Sequence, residues 1–270
     1  MPVQAIASRR RRSPATVRRY LRQDFRRILI EPPASLVPAG ALVLLIDGLW
    51  SVLRGKCWVL YNLALKPVSS NTAWFLPPYL RVGRENVHGW KEAIGTIPQE
   101  YAERVKALVS DGIPGIDLLA RADSWLLQRC HRHLLAALDY KLGHPRRQRT
   151  VQQPGRGIRA AIRESLITRD DGRVAALCDE IMRLSGHPNC TLKLRYTARH
   201  FVRHQQAYRT YLLHPELMLP TTTSAMESMH NLLRQAISTA NNPQATLLRA
   251  QAYLRLRPTV TCNRGILQQK

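Results

Sequence analysis

Three apolar runs with strand character follow one another early in the chain: Ala41 to Leu53, Cys57 to Leu65, and Thr72 to Leu76. Arg54-Gly55-Lys56 between the first two reads as a turn, so the runs predict an antiparallel meander. A helix is predicted near Trp90 to Ile97. The run Val105 to Val109 then reads as a buried strand ending at Ser110-Asp111-Gly112, and Asp117 to Leu127 as a helix. This order of elements argues for an α/β fold, a mixed sheet with helices packed on it.

The period changes further on. From Leu134 to Leu217 the pattern is helical and basic, with 15 Lys and Arg against 7 Asp and Glu. A basic, Pro- and Gly-containing loop is expected over Gly143 to Gly157, and the whole stretch reads as an inserted all-helical subdomain. A last helix is predicted over Ser224 to Ala240, with a break at Asn241-Asn242-Pro243, a further short helix, and a loosely held tail after Arg257. At the other end, Ser13 suits an N-cap and Pro14 the first helical position. Val17, Leu21 and Phe25 recur on one face, while Arg18, Arg19, Arg22 and Arg26 occupy others. This helix resembles the last helix of a helix-turn-helix; a solvated basic arm that contacts phosphates without reading bases fits equally well. Pro32 and Pro33 close the segment. The expected organisation is residues 1–33, then 34–133 with 218–253 as one core, 134–217 as the insertion, and 254–270 as a tail.

Charge sharpens the picture. The 41 Lys and Arg against 18 Asp and Glu leave a net +23 on 270 residues, which calls for a polyanionic partner. The segment to Pro33 alone holds nine Arg against Asp24 and Glu31, a net of +7, with Arg9, Arg10, Arg11 and Arg12 in succession. Nucleic acid is favoured over a membrane surface, because neither terminus carries an amphipathic basic helix of the membrane type or a lipidation signal. The apolar stretch Ala34 to Leu53 contains Pro38, Gly40 and Asp47, a poor membrane span. With no apolar segment after Arg12 to form a signal peptide, a cytoplasmic location is expected. Five scattered cysteines predict reduced thiols.

The candidate chemistry lies in three carboxylates. Asp47 follows the apolar Val43-Leu44-Leu45-Ile46, and Asp111 follows Val105 to Val109; each precedes a glycine. A carboxylate at a strand end can serve as a rigid metal ligand, although Asp-Gly is also a common turn dipeptide. Glu227 has two readings as well. Ser224-x-x-Glu227 fits a capping box, in which the glutamate bonds its own helix start. Alternatively, Met226, Met229, Leu233 and Ile237 form an apolar stripe while Glu227, Asn231 and Arg234 share another face. Cys130, His131 and His133 lack a second ligand cluster for zinc. The tryptophans read as core, Trp90 and Trp125 least clearly.

Together, Asp47 with its meander, Ser110-Asp111-Gly112, Gln128-Arg129-Cys130-His131-Arg132-His133 and Thr222-Thr223-Ser224-Ala225-Met226-Glu227 resemble the transposases of Mutator-type elements and related bacterial insertion sequences. The resemblance runs from about Val37 to Arg234, and its most specific part is the Gln-Arg-Cys-x-x-His segment. It implies a ribonuclease H-like core in which Asp47, Asp111 and Glu227 bind two Mg²⁺ or Mn²⁺ ions about 3.5–4 Å apart and drive cleavage and strand transfer of DNA. It further implies site-supporting roles for Cys130, His133, Asn231 and Arg234, and an oligomer on DNA at the nucleoid. Ser224 stands where the family usually has Asn, and Ser228 where a basic residue is common. The N-terminal region is also shorter than the family's, as in a truncated copy. A catalytically dead DNA-binding remnant and a nuclease of the same fold are the alternative expectations.

Overall fold

A computed structural model describes residues 3–30, 37–142, 152–238 and 240–262. Pro32, Pro33 and the first part of the expected basic loop lie outside the described residues. The chain is α/β, with seven described strands that pair in both parallel and antiparallel fashion, and with helices around them. It divides into two compact units, Met1–Val105 with Ala225–Cys262, and Lys106–Ser224.

The first unit is built on the long hairpin of β1 (Leu42–Leu53) and β2 (Lys56–Pro67), paired from Leu42↔Pro67 to Leu53↔Lys56. The two intervening residues, Arg54 (φ 51°) and Gly55 (φ 74°), both adopt positive φ, as a type I′ turn requires. β3 (Thr72–Phe75) and a strand absent from the sequence reading, β4 (Tyr79–Val82), both pair with β2. The expected loose tail is corrected here: Thr259–Thr261 forms β7, which pairs with β3, and Cys262 N–H donates to the Asn71 carbonyl at 2.6 Å. Residues 42–46 of β1 are all fully buried.

Helices complete this unit. α1 (Val3–Arg9) precedes α2 (Pro14–Ile30), where no earlier helix was legible, and the two helices pack together. The Ser13 hydroxyl accepts from Thr16 N–H at 3.1 Å, so the expected cap forms. α3 (Val87–Ile94) lies on one face of the hairpin, where Trp90 meets Tyr61 edge-on at 4.8 Å and Gly89 leaves room for the Tyr61 hydroxyl. α4 (Gln99–Ala102) follows. From the far end of the chain come α11 (Ser224–Ile237) and α12 (Pro243–Leu256), a full helix where a short one was expected. α12 packs on α2.

In the second unit, β5 (Val105–Ser110) pairs in parallel with β6 (Leu126–Arg129), with α5 (Ile116–Ala122) between them. The expected helix to Leu127 therefore ends early: Ser124 turns at φ 56°, and Leu126 and Leu127 are strand. α6 (His131–Leu142), α7 (Gln152–Ile167), α8 (Asp171–Ser185), α9 (Leu192–Arg203) and α10 (Gln205–Leu213) follow. Leu138, Ile158, Ile162, Leu177, Ile181 and Phe201 form the core of these helices. In the described part of the expected loop the chain is helical: Pro154 sits in the first turn of α7, and Gly157 admits Leu184, whose methyl would lie 2.7 Å from an added Cβ. No helix among the described residues is long and apolar enough to cross a membrane.

Candidate functional site

Asp47 does not end its strand. It lies in the middle of β1, opposite Asn62, because the strand does not stop after Val43–Ile46 but follows the apolar run to its end at Leu53. The Asp-Gly turn reading fails here too. Gly48 is extended strand, and it is a glycine for another reason: an added Cβ would lie 2.7 Å from the Glu85 carboxylate, which accepts from Trp90 Nε1 at 2.9 Å. Directly paired residues share a face of an antiparallel sheet, so Asp47 and Asn62 lie together on the face opposite Gly48 and Tyr61.

That face is met by α11. Its apolar stripe, Met226, Met229, Leu233 and Ile237, is buried as expected, and so is His230 at 4 % exposure. His230 Nε2 lies 3.0 Å from Asn62 Nδ2, and its Nδ1 lies 3.9 Å from Asp47 Oδ2. Asn62 Nδ2 also donates to the Leu60 carbonyl at 3.1 Å. An amide nitrogen only donates, so His230 Nε2 must accept, and the proton of a neutral ring resides on Nδ1, facing the carboxylate. Asp47 is 6 % exposed and Asn62 fully buried. Most polar groups this deep are hydrogen-bonded, as the Asn62 amide nitrogen is through Leu60 and His230. Glu227, one helical turn before His230, is half-buried; Asn231 and Arg234 are exposed and bond to each other at 2.9 Å.

The third carboxylate belongs to the second unit. Asp111 follows β5 in the expected turn: Ser110 Oγ donates to Asp111 Oδ1 at 3.3 Å and accepts from Gly112 N–H at 3.2 Å, with Gly112 at φ 90°. Arg129, buried, donates from Nη1 to the Gly112 carbonyl at 3.0 Å and so holds the turn from below β6.

The strand-to-helix segment that follows consists of side chains tying other segments down. Gln128 donates to the Tyr208 carbonyl and accepts from Tyr211 N–H, fixing α10. Cys130 Sγ accepts from Thr223 N–H at 3.3 Å, and the Thr223 hydroxyl lies 3.5 Å from His133 Nδ1. Burial alone would raise the Cys130 thiol, but the hydrogen bond and charge of His133, with help from Thr223, bring it below the usual value. Its full burial argues for a supporting role rather than a nucleophilic one. His131 is pushed down to about 4 by burial, against a hydrogen bond to the Tyr208 carbonyl at 2.7 Å.

The predicted DNA-contacting arginines, Arg9, Arg10, Arg11, Arg12, Arg18, Arg19 and Arg22, are all exposed. Trp90 is core, whereas Trp50 is half exposed, against the expectation that it is core. Sequence reasoning missed Asn62, His230 and Arg129. The available signal was Asn62 itself, a lone amide within the apolar run from Trp58 to Leu65.

Carboxylate oxygens are the donor type that a hard divalent cation takes, and Asp47 and Glu227 belong to one unit. Among the described residues, no group of three or more His, Cys, Asp or Glu side chains gathers as a metal site would. No protein-family description matches this sequence, and no curated protein matches it either.

Proposed function

We propose that the chain is a DNA transposase of the three-carboxylate type, with a ribonuclease H-like core and Asp47, Asp111 and Glu227 as the residues that would hold its divalent metal. What carries the reading is Asp47: a carboxylate buried mid-strand, beside a histidine delivered by the helix that also bears Glu227. Burying a carboxylate is costly, and a chain retains one in such a place when it has a task there. When bound, Mg²⁺ or Mn²⁺ would activate the attacking oxygen and stabilise the leaving oxygen of a phosphodiester. The chain's own residues prepare for this. His230 turns an N–H toward Asp47 at 3.9 Å, Asn62 fixes the tautomer of that ring, and Ser110 with Arg129 sets the turn that carries Asp111. The net +23 supports DNA as the substrate.

The test is cleavage of duplex DNA bearing the element's ends, measured beside melting temperature for Asp47→Asn, Asp111→Asn and Glu227→Gln. Loss of Mg²⁺-dependent cleavage in all three with folding retained is expected. Gln still completes a capping box, so an active Glu227→Gln enzyme would remove Glu227 from the site and leave it a helix cap. Cleavage without joining to a target would mark a nuclease.

A further inference from the structure

In the first unit, where α2 packs on α12, a cavity of about 350 Å³ is lined by four arginines: Arg18 and Arg22 from α2, Arg54 from the hairpin turn, and Arg249 from α12. Asn241 and Asn242 complete its polar lining, and the described lining holds no acidic side chain. The sequence explains the convergence. Arg18 and Arg22, four apart, lie along the edge of the Leu21–Phe25 stripe of α2, and Ala245 and Arg249, four apart, lie on one face of α12 beyond its Asn242 cap.

Two further observations point to a ligand. Arg54 occupies the first position of a type I′ turn at φ 51°, where Asn or Gly is favoured and a long side chain is strained. Strain kept at a residue that lines a cavity is a mark of use. In addition, the Arg249 guanidinium is held below its ordinary value by burial and by the charge of Arg18, so these cations repel one another around the cavity. An anion in the cavity would ease that repulsion. α12 adds the positive end of a 14-residue helix, whose Asn242 cap accepts from Ala245 N–H at 2.9 Å.

We propose that this cavity is a phosphate-binding site that grips the backbone of a nucleic acid, with Arg54 and Arg249 as anion-binding residues alongside Arg18 and Arg22. The cavity is roughly ten times the ~30 Å³ share of one water, room for a phosphodiester with part of its sugars. The chain-wide excess of positive charge selects a polyanion over a small free anion. The inference stands apart from the cleavage chemistry, since a chain that cuts nothing would still bind through this site.

The experiment uses the full chain in EDTA and follows binding of a labelled 25-base-pair duplex across a salt series. The variant is Arg54→Asn with Arg249→Gln, beside Arg54→Asn alone. Asn suits the turn better than Arg, so the single variant should melt no lower than the wild type. The double variant is expected to reduce the slope of log affinity against log salt by about 1 to 2 and to weaken binding at least roughly tenfold near 0.1 M salt. A control, Arg84→Gln with Lys91→Gln, removes the same charge from exposed positions outside the cavity and should change the slope less. Equal effects of the two pairs, or an unchanged slope, would overturn the proposal. So would a site for free phosphate: inorganic phosphate at fixed ionic strength raising the melting temperature of the wild type but not of the double variant, with the DNA slope the same in both.

Discussion

Replacing Asn62 by Leu keeps its shape and removes its ability to donate. In the wild type, the Asn62 amide serves both the Leu60 carbonyl and His230 Nε2. The substitution leaves a buried ring nitrogen without its donor, at a cost of about 1–3 kcal/mol. His230→Leu leaves the Asn62 amide with the Leu60 carbonyl alone and one N–H without its acceptor, at a similar cost. The double variant strands neither group of this pair, so the two effects should fall short of additivity by about 1–3 kcal/mol, a coupling measurable by urea unfolding followed by circular dichroism. For a chain of this size, each kcal/mol corresponds to roughly 2–4 °C in melting temperature. The functional outcome should separate from the structural one. The double variant recovers stability but loses the ring that faces Asp47, so its DNA cleavage should stay as low as that of His230→Leu. Additivity within about 0.5 kcal/mol would refute the hydrogen-bond account. Full cleavage in the double variant would refute the positioning of Asp47.

Two other expectations concern the second unit. His131 titrates at about 4 when folded and near 6.5 when unfolded, so between those values the unfolded chain binds more protons. Stability should therefore be full above pH 6.5 and fall as the pH drops toward 4, by about 3 kcal/mol from this group, and His131→Gln, which can still donate to the Tyr208 carbonyl, should flatten that part of the curve; parallel pH profiles would count against it. Gly112→Ala places a Cβ 2.5 Å from Arg129 Nη1 at a φ of 90°, and should lower stability by about 1–3 kcal/mol in a melting experiment; an unchanged melting temperature would show that the turn tolerates a side chain.

The strands and the last helix were legible because their apolar periods are strong: Ala41 to Leu53 and the Met226 stripe both came out where the pattern put them. What the pattern could not show was continuation through polar residues. Asp47 and Gly48 look like a turn, but cross-strand pairing with Asn62 and Tyr61 and the close approach of Glu85 keep them in the sheet. β4, a half-buried four-residue strand, exists through its pairing with β2, a long-range fact with a weak local signature. The site carboxylates could be nominated from neighbouring residues, but His230 could not. Its partner Asn62 lies 168 positions away, and no local period encodes such a pairing.

That separation has a consequence during synthesis. The hairpin of β1 and β2 needs only a two-residue turn and can form as soon as it leaves the ribosome, yet the histidine that covers its polar pair is translated 168 residues after Asn62. At about 5–20 residues per second, the interval is roughly 8–34 s. Throughout it the nascent chain carries a finished ribbon whose leucine-rich surface lacks its later helix, and β7, which closes the edge beside β3, arrives later still. Slowing elongation after Asn62 should lengthen that exposure and with it the chance of aggregation.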